Sequence, residues 1–129
     1  MRRIVSVSIG SSQRDSKAVV TVCGEEFSIE RIGTDGDMQK AIALIRELDG
    51  KVAAFGMGGI DLYLYGGKRR YILREAKQIA RAAQVTPMVD GSGLKNTLER
   101  RAIEDLAKAS PGMFKGKNVL LTCAVDILT

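Results

Sequence analysis

The sequence predicts an α/β domain whose mixed sheet begins with an antiparallel meander of three strands and continues with alternating helices and strands. The first part of the chain holds three short runs of alternating or Val-rich residues, separated by turns that contain Gly and Ser. Apolar residues then recur with a helical period over Asp37–Leu48. Val52–Met57 follows without a polar residue, which is typical of a buried parallel strand.

Three strands are predicted before the first helix. Arg3–Ile9 has apolar residues on both faces, so we expect it at the centre of the sheet. Lys17–Cys23 is rich in Val, and Gly24 with Glu25 forms a tight turn into Glu26–Ile32. Because the connections are short, we expect the three strands to pair as an antiparallel meander.

Two more helices are predicted beyond the buried strand. Gly58–Gly67 forms a small hairpin or an extended link, and a helix then runs over Arg70–Gln84. Val85–Val89 is a strand, Leu94–Ala109 is the third helix and Asn118–Val125 is a last apolar strand. The stripe that the third helix should bury is Leu94, Leu98, Ala102, Ile103 and Leu106. The order is therefore β-β-β-α-β-α-β-α-β, with right-handed crossovers.

Composition excludes several classes of function. The 129 residues are 45% hydrophobic, which is enough for a folded core. The absence of histidine excludes imidazole catalysis and the commonest zinc ligand, so we predict no metal site. Cys23 and Cys123 are expected to be reduced and buried. No apolar run approaches the roughly 18 residues of a membrane helix, so we expect a cytoplasmic protein without membrane contact.

Three polar motifs are candidate ligand sites because glycine and hydroxyl residues follow predicted strands there. Ser11 and Ser12 form a turn whose backbone N–H groups could cradle a phosphate, although a plain turn explains them too. Gly58, Gly59 and Asp61 follow the buried strand, where α/β proteins place their ligands; the alternative is a link with a solvated carboxylate.

The third motif opens the last predicted helix. Asp90, Ser92 and Lys95 could bind an anion at the helix N-terminus, or Ser92 could act only as its cap. Asp35, in the polar segment before the first helix, offers a capping oxygen and completes the set of ligand-binding candidates.

A basic stripe is predicted on the second helix. Arg70, Arg74, Lys77 and Arg81 are spaced four, three and four residues apart, which places them on one helix face, and Lys68 and Arg69 extend the patch. Such a stripe can contact phosphates, but without interleaved aromatic residues it is more often a solvated face. The net charge of +5 favours anionic partners modestly, so nucleic acid is the less favoured partner.

Four stretches together resemble a family of bacterial proteins, the quinate/shikimate 5-dehydrogenase-like proteins. The stretches, Arg3–Ser12, Glu30–Asp37, Ala54–Tyr65 and Val89–Arg100, cover much of the chain. The resemblance implies a substrate-side domain that binds a small polar or anionic ligand near Asp61 and Asp90. It also implies an NAD(P)-binding module in the longer members of the family.

The start of that module is similar to Phe114–Leu121, so we expect an α/β domain over residues 1–112 and a linker with a terminal strand over 113–129. The glycine turn that would hold a pyrophosphate is absent, as is the Asn-Val-Thr-x-Pro-x-Lys segment that carries a catalytic lysine in shikimate dehydrogenases. We therefore expect no cofactor in this chain, assign no catalytic residue, and expect any oxidoreductase activity to be incomplete in this chain alone.

The order of elements also resembles that of ribonuclease H-like folds. Their nucleases hold a metal with a carboxylate on the first strand, whereas Ser6–Ile9 contains no Asp here. The alternative function is therefore a noncatalytic nucleic-acid-binding module that uses the basic stripe. A further alternative is an oligomerisation domain, because the apolar terminal strand over Val119–Leu128 needs cover. A homo-oligomer is thus the second kind of partner that we expect.

Overall fold

A computed structural model describes residues 1–66 and 68–120, and it confirms an α/β fold with a mixed sheet. The strands are β1 (Arg2–Ser8), β2 (Ser16–Val22), β3 (Glu25–Gly33), β4 (Ala54–Gly58), β5 (Tyr63–Gly66), β6 (Arg69–Ile72) and β7 (Met88–Val89). The helices are α1 (Met38–Leu48), α2 (Arg74–Ala80), α3 (Ser92–Leu94) and α4 (Arg100–Ala109), with a 3-10 turn over Ser12–Arg14 and a π-helical turn over Lys95–Glu99. None of the helices in the described part has the length and apolar character needed to cross a membrane.

Five strands form the main sheet in the order β2-β3-β1-β4-β7, and β5 pairs with β6 in a separate two-stranded sheet. β2 is antiparallel to β3, whereas β1 is parallel to β3 and β4, and β4 is parallel to β7. The predicted order of elements is confirmed from the first strand to the third predicted helix, with the hairpin of β5 and β6 inserted where a hairpin or an extended link was expected.

The pairing of the first three strands differs from the predicted meander. β1 and β2 do not pair; instead β3 lies between them. The connection after β1 contains a 3-10 turn over Ser12–Arg14 rather than a tight hairpin turn, so it does not hold β2 beside β1. β2, all of whose residues are exposed, takes the edge, and β3 takes the more buried position between β2 and β1.

The core lies between one face of the main sheet and helices α1 and α2. Val5 and Val7 of β1 are paired in register with Phe55 and Met57 of β4, and all four are buried. The helices contribute their own buried residues, which are Ala41, Ile42, Ile45 and Leu48 from α1 and Ala76 and Ile79 from α2. The helical period predicted over Asp37–Leu48 is confirmed, because α1 runs over Met38–Leu48 and buries one face. Asp37 caps this helix, since its side chain accepts a hydrogen bond from Lys40 N at 2.9 Å.

The second and third helices differ from their predicted limits. α2 begins at Arg74 rather than at Arg70, since Arg69–Ile72 pairs with β5 as a strand. The predicted third helix begins at Ser92 and is interrupted by a π-helical turn. The stripe that it was expected to bury, Leu94, Leu98, Ala102, Ile103 and Leu106, is exposed.

Two compact units make up the chain. The first comprises Met1–Leu62 and Ile72–Gly91, and the second comprises Tyr63–Tyr71 and the chain from Ser92 onward. The predicted boundary between residues 112 and 113 lies inside the second unit, within a turn over residues 111–116.

The ends of two predicted strands differ from expectation. Cys23, predicted to be buried, is exposed because it occupies the turn between β2 and β3, with a left-handed φ of 51°. Residues 118–120, the start of the predicted terminal strand, are not in a strand. The rest of that strand, with Cys123, lies outside the described residues.

Candidate functional site at the carboxyl edge of the sheet

Four neighbouring strands of the first unit end at the same edge of the main sheet. β3, β1, β4 and β7 are adjacent in this order and parallel, so the loops that follow them are neighbours. This edge, which we call the carboxyl edge, carries seven of the residues predicted to bind a ligand: Ser11, Ser12, Asp35, Gly58, Gly59, Asp61 and Asp90. Ligands of open α/β sheets bind at this kind of position.

The loops after β1 and β3 are held together by backbone hydrogen bonds beyond the strand ends. Thr34 N donates to the carbonyl of Ser8 at 2.8 Å, and Asp35 N donates to that of Gly10 at 3.0 Å. Asp35 adopts a left-handed φ of 53°, which turns the chain toward α1. The two loops thus form one connected wall of the carboxyl edge.

Asp35 acts within this wall. Its Oδ1 accepts a 2.7 Å hydrogen bond from the backbone N–H of Ser12. This bond, followed by a bond from the Ser12 side chain, lowers the pKa of Asp35 below its ordinary 3.8. Asp35 is therefore a carboxylate at neutral pH, and one of its oxygens holds the turn in place. Ser11 has a local role as well, because its Oγ accepts from Gln13 N at 3.2 Å and caps the 3-10 turn.

An arginine that the sequence reasoning missed stands at the centre of the wall. Arg31 Nη1 donates to the Ser11 carbonyl at 3.0 Å and to Asp15 Oδ1 at 2.9 Å, and its Nη2 donates to Ser8 Oγ at 3.0 Å. The same Asp15 oxygen accepts from Gly33 N at 2.6 Å. Only the parallel pairing of β1 with β3 puts Arg31 beside Ser8, and no local sequence signal predicts that pairing.

A second arginine approaches the same point. A Cβ on Gly10 would lie 3.0 Å from Arg14 Nη2 and 3.1 Å from Arg31 Nη2, so the two guanidinium groups converge above this glycine. Asp15 pairs with Arg31, but within residues 1–66 and 68–120 Arg14 has neither a hydrogen bond nor an ion pair through its side chain. Of the two arginines only Arg31 is paired with a carboxylate, that of Asp15, so the charge of Arg14 is available to an anionic group.

The glycines after β4 make room for protein atoms. A Cβ on Gly58 would lie 2.8 Å from Cβ of Ser8, and one on Gly59 would lie 2.9 Å from Cγ1 of Ile9. Gly59 also has a left-handed φ of 73°, which residues with a side chain rarely adopt. These positions were predicted to bring the backbone close to a ligand; in the structure they let the loop after β4 pack on β1.

Asp61 and Asp90 lie on the other side of the edge, after β4 and β7. The carboxylate of Asp90 accepts a 2.8 Å hydrogen bond from the backbone N–H of Leu62, the residue after Asp61. Both carboxyl side chains belong to half-buried residues. The structure therefore brings the Asp61 and Asp90 segments together, as the strand-end argument predicted.

The remaining ligand candidates lie in the second unit. Ser92 is buried and is the first residue of α3, so it is not the residue that precedes the helix, and Lys95 opens the π-helical turn. The predicted motif thus divides after Gly91, where the first unit ends.

The basic stripe is not a single helix face, which corrects the prediction. Arg70 is in β6 with Arg69, and Lys68 is in the turn before it. Arg74 and Lys77 remain on α2, and Arg81 is the residue that follows its last turn. The reason is that the hairpin takes up residues 69–72, so the helical spacing of four does not apply to Arg70. In the second unit the Arg70 guanidinium instead stacks on the ring of Tyr63, 4.4 Å from its centre.

Within the described residues no three His, Cys, Asp or Glu side chains are grouped closely enough to hold a metal ion.

Comparison with known families gives two matches. Residues 3–90 match the family described as Domain of unknown function (DUF8753), and residues 93–128 match the family described as Domain of unknown function (DUF8754). The gap between the two matches coincides with the boundary between the units at Gly91 and Ser92. No curated protein and no solved structure matches the chain.

Proposed function

The chain belongs to the DUF8753 family, and we propose that the domain of this family binds a small hydroxylated carboxylic acid at the carboxyl edge of its sheet. One observation carries the proposal. Four adjacent parallel strands end together, and their loops present the carboxylates of Asp61 and Asp90 on one side and two converging arginines, beside Asp15 and Asp35, on the other. A ligand with hydroxyl groups and one carboxylate matches both sides.

The carboxylate of the ligand would interact with the arginine side. Arg14 is exposed and has no partner in the described part of the chain, whereas Arg31 is fixed by Ser8, Ser11 and Asp15. A fixed guanidinium beside a free one supports binding of an anion, because only the free side chain has to be ordered.

Hydroxyl groups of the ligand would interact with the acidic side. Carboxylate oxygens accept hydrogen bonds from hydroxyls, and each carboxylate has several lone pairs, so one carboxylate, such as that of Asp90 beside Leu62 N, can hold more than one donor. Asp61 directly precedes Leu62 in the chain, so it belongs to the segment that Asp90 holds. The hydrogen-bonded Asp90 would orient the segment, and both carboxylates would contact the ligand.

We propose further that the chain is the substrate-side part of a quinate/shikimate dehydrogenase-like protein. The support is the resemblance of the strand-end motifs together with the polar character of the edge. In this proposal an NAD(P)-binding module supplies the hydride chemistry, and the residues of this chain bind and orient the acid. The chain alone would then bind quinate or shikimate without oxidising it.

Calorimetric titration with four ligands tests the binding proposal. Quinate and shikimate should bind, whereas cyclohexanecarboxylate, which lacks hydroxyls, and inositol, which lacks a carboxylate, should each bind at least about tenfold more weakly. Equal heats for all four ligands, or no heat from quinate at millimolar concentration, would contradict the proposal.

Variants assign the two sides of the site. Arg14→Gln should weaken quinate but leave the weak binding of inositol unchanged, and Asp61→Asn should weaken both ligands. Asp105→Asn, an exposed substitution on α4, is the matched control and should leave both unchanged. NAD(P)-dependent oxidation of quinate by the wild-type chain alone would refute the division of labour proposed here, even if binding is confirmed.

A further inference from the structure

Within residues 1–66 and 68–120, the outer strand of the main sheet, β2, has one open edge. β2 pairs with β3 on one side, and it is the terminal strand in the order of the sheet. All seven of its residues are exposed, including Val19 at 58% and Val22 at 54%. Exposed valines on an unpaired strand edge cost solvation free energy unless a second strand covers them.

The turn to β3 determines which backbone groups of β2 point outward. Cys23 and Gly24 both have left-handed φ angles, 51° and 81°, which is the pattern of a two-residue hairpin turn. Such a turn closes on a hydrogen-bonded pair, here Val22 with Glu25. Because the pattern alternates, Ser16, Ala18, Val20 and Val22 bond to β3, whereas the N–H and C=O groups of Lys17, Val19 and Thr21 point away from the sheet.

Natural edge strands usually carry features that prevent pairing. Proline, a bulge or several charges are the common ones. β2 reads Ser-Lys-Ala-Val-Val-Thr-Val, with one charge and no proline, and its seven residues pair with β3 without a bulge. The strand therefore keeps three outward donors and three outward acceptors in an unbroken row.

We propose that β2 pairs with β2 of a second copy of this chain, antiparallel and with a two-fold axis at Val19, so that the sheets of two first units become continuous. In this register Lys17 lies opposite Thr21 of the partner subunit, and Val19 lies opposite its own equivalent. The three outward-pointing residues then exchange all their N–H and C=O groups. The interface is independent of the carboxyl-edge site proposed above.

The sequence of β2 fits itself best in this register. An axis at Val19 pairs all seven residues and places no two like charges opposite each other. An axis at Val20 would pair only Ala18–Val22 with their equivalents, because Cys23 belongs to the turn after β2. An axis at Ala18 would pair only Ser16–Val20, because Arg14 belongs to the 3-10 turn before β2. Pairing of one surface with its own equivalent is the feature of an interface between identical subunits.

Two substitutions of opposite charge at one position test the register. Thr21→Glu would place a negative charge opposite Lys17 of the partner subunit at two symmetric positions of the dimer. Thr21→Lys would place a positive charge opposite Lys17 of the partner subunit at the same two positions. We expect the dimer dissociation constant in sedimentation equilibrium to fall with Thr21→Glu and to rise with Thr21→Lys, each by roughly twofold to thirtyfold. Equal effects of both variants would overturn the register.

Folding of the single chain should respond in the opposite direction. Thr21 is paired with Glu26 on β3, so Thr21→Glu opposes like charges within one subunit and Thr21→Lys brings opposite charges together. At concentrations where the chain is monomeric, Thr21→Lys should therefore have the higher melting temperature. Opposite trends in dimer affinity and monomer stability separate the interface from a general effect on folding.

A distance measurement completes the test. With Cys123→Ser as background, a spin label on the exposed Cys23 reports the dimer geometry. Val22 lies opposite Ser16 of the partner subunit in the proposed register, and Cys23 is the next residue, in the turn. The two Cys23 positions are then eight residues apart along the strands, or about 27 Å. A monomer at every concentration, or a dimer with a clearly different distance, would refute the proposal.

Discussion

The two units of this chain differ in what happens to their apolar side chains. In the first unit, α1 and α2 bury Ile45 and Ile79 against Val5 and Phe55 of the sheet, and each of these four is at most 1% exposed. In the second unit, α4 and the turn before it leave their leucines and isoleucine exposed, with Leu98 at 57%. All hydrophobic residues described as buried belong to the first unit.

An amphipathic pattern therefore specifies an apolar face but does not supply the element that covers it. The patterns of α1 and of the helix after Ser92 both predict a buried stripe. α1 finds a sheet face made by its own unit, whereas within the described residues the stripe of α4 has no such cover. Stability should therefore reside in the first unit, and matched substitutions in the two units test this.

The largest expected effect is from truncating a core side chain. Phe55→Ala removes a fully buried ring from the first unit and should lower the free energy of unfolding by about 3–5 kcal/mol. Leu106→Ala in α4, where the side chain is 39% exposed, should cost less than about 1.5 kcal/mol. Urea unfolding followed by circular dichroism measures both. Similar losses for the two variants would show that the second unit also has a core of its own.

A smaller effect is expected from adding a methyl group to glycines of the two units. A Cβ on Gly33 would lie 2.6 Å from the carbonyl oxygen of Ser11, so Gly33→Ala should cost about 1–3 kcal/mol because backbone atoms must move. Gly93, at the start of the helix in the second unit, has no atom within 4 Å of such a Cβ. Gly93→Ala should be neutral or should raise stability by up to about 1 kcal/mol. A neutral Gly33→Ala would show that the wall of the carboxyl edge is loosely packed.

The smallest expected effect is on the stability at low pH, and it also originates in the first unit. The carboxylate of Asp49 accepts backbone hydrogen bonds from Gln84, Val85 and Thr86, at distances down to 2.8 Å. These bonds, that of Thr86 foremost, lower the pKa of Asp49 from 3.8 to about 2.

Because the folded pKa is the lower one, the contribution of Asp49 is complete above the unfolded pKa of 3.8 and is lost as the pH falls toward about 2. Melting temperatures recorded from neutral pH down to this range should decline less steeply for Asp49→Asn than for the wild type. Asp105→Asn, which removes an exposed pair with Arg101 in the second unit, should keep the wild-type slope. A wild-type slope for Asp49→Asn would contradict the stabilising role of the hydrogen bonds that Asp49 accepts.

Several parts of the fold could be predicted because their signals are local. The helical period and capping residue Asp37 define α1, and the run without polar residues defines β4. The tight turn before β3 was also predicted, since left-handed positions such as Gly24 favour glycine. At the site, the placement of Asp61 and Asp90 followed from the rule that ligands bind where parallel strands end.

The sequence alone therefore specifies the elements with a strong local pattern, such as α1 and β4, and the face that α1 buries. Tertiary packing sets which strands are neighbours and which amphipathic faces are covered. Alternation of side chains has the same period whether β1 pairs with β2 or with β3, and backbone hydrogen bonds between distant residues carry no sequence code of their own. The parallel neighbour of β1, the Arg31 contacts that depend on it, and the open edge of β2 follow from that choice, so only the folded chain reveals them.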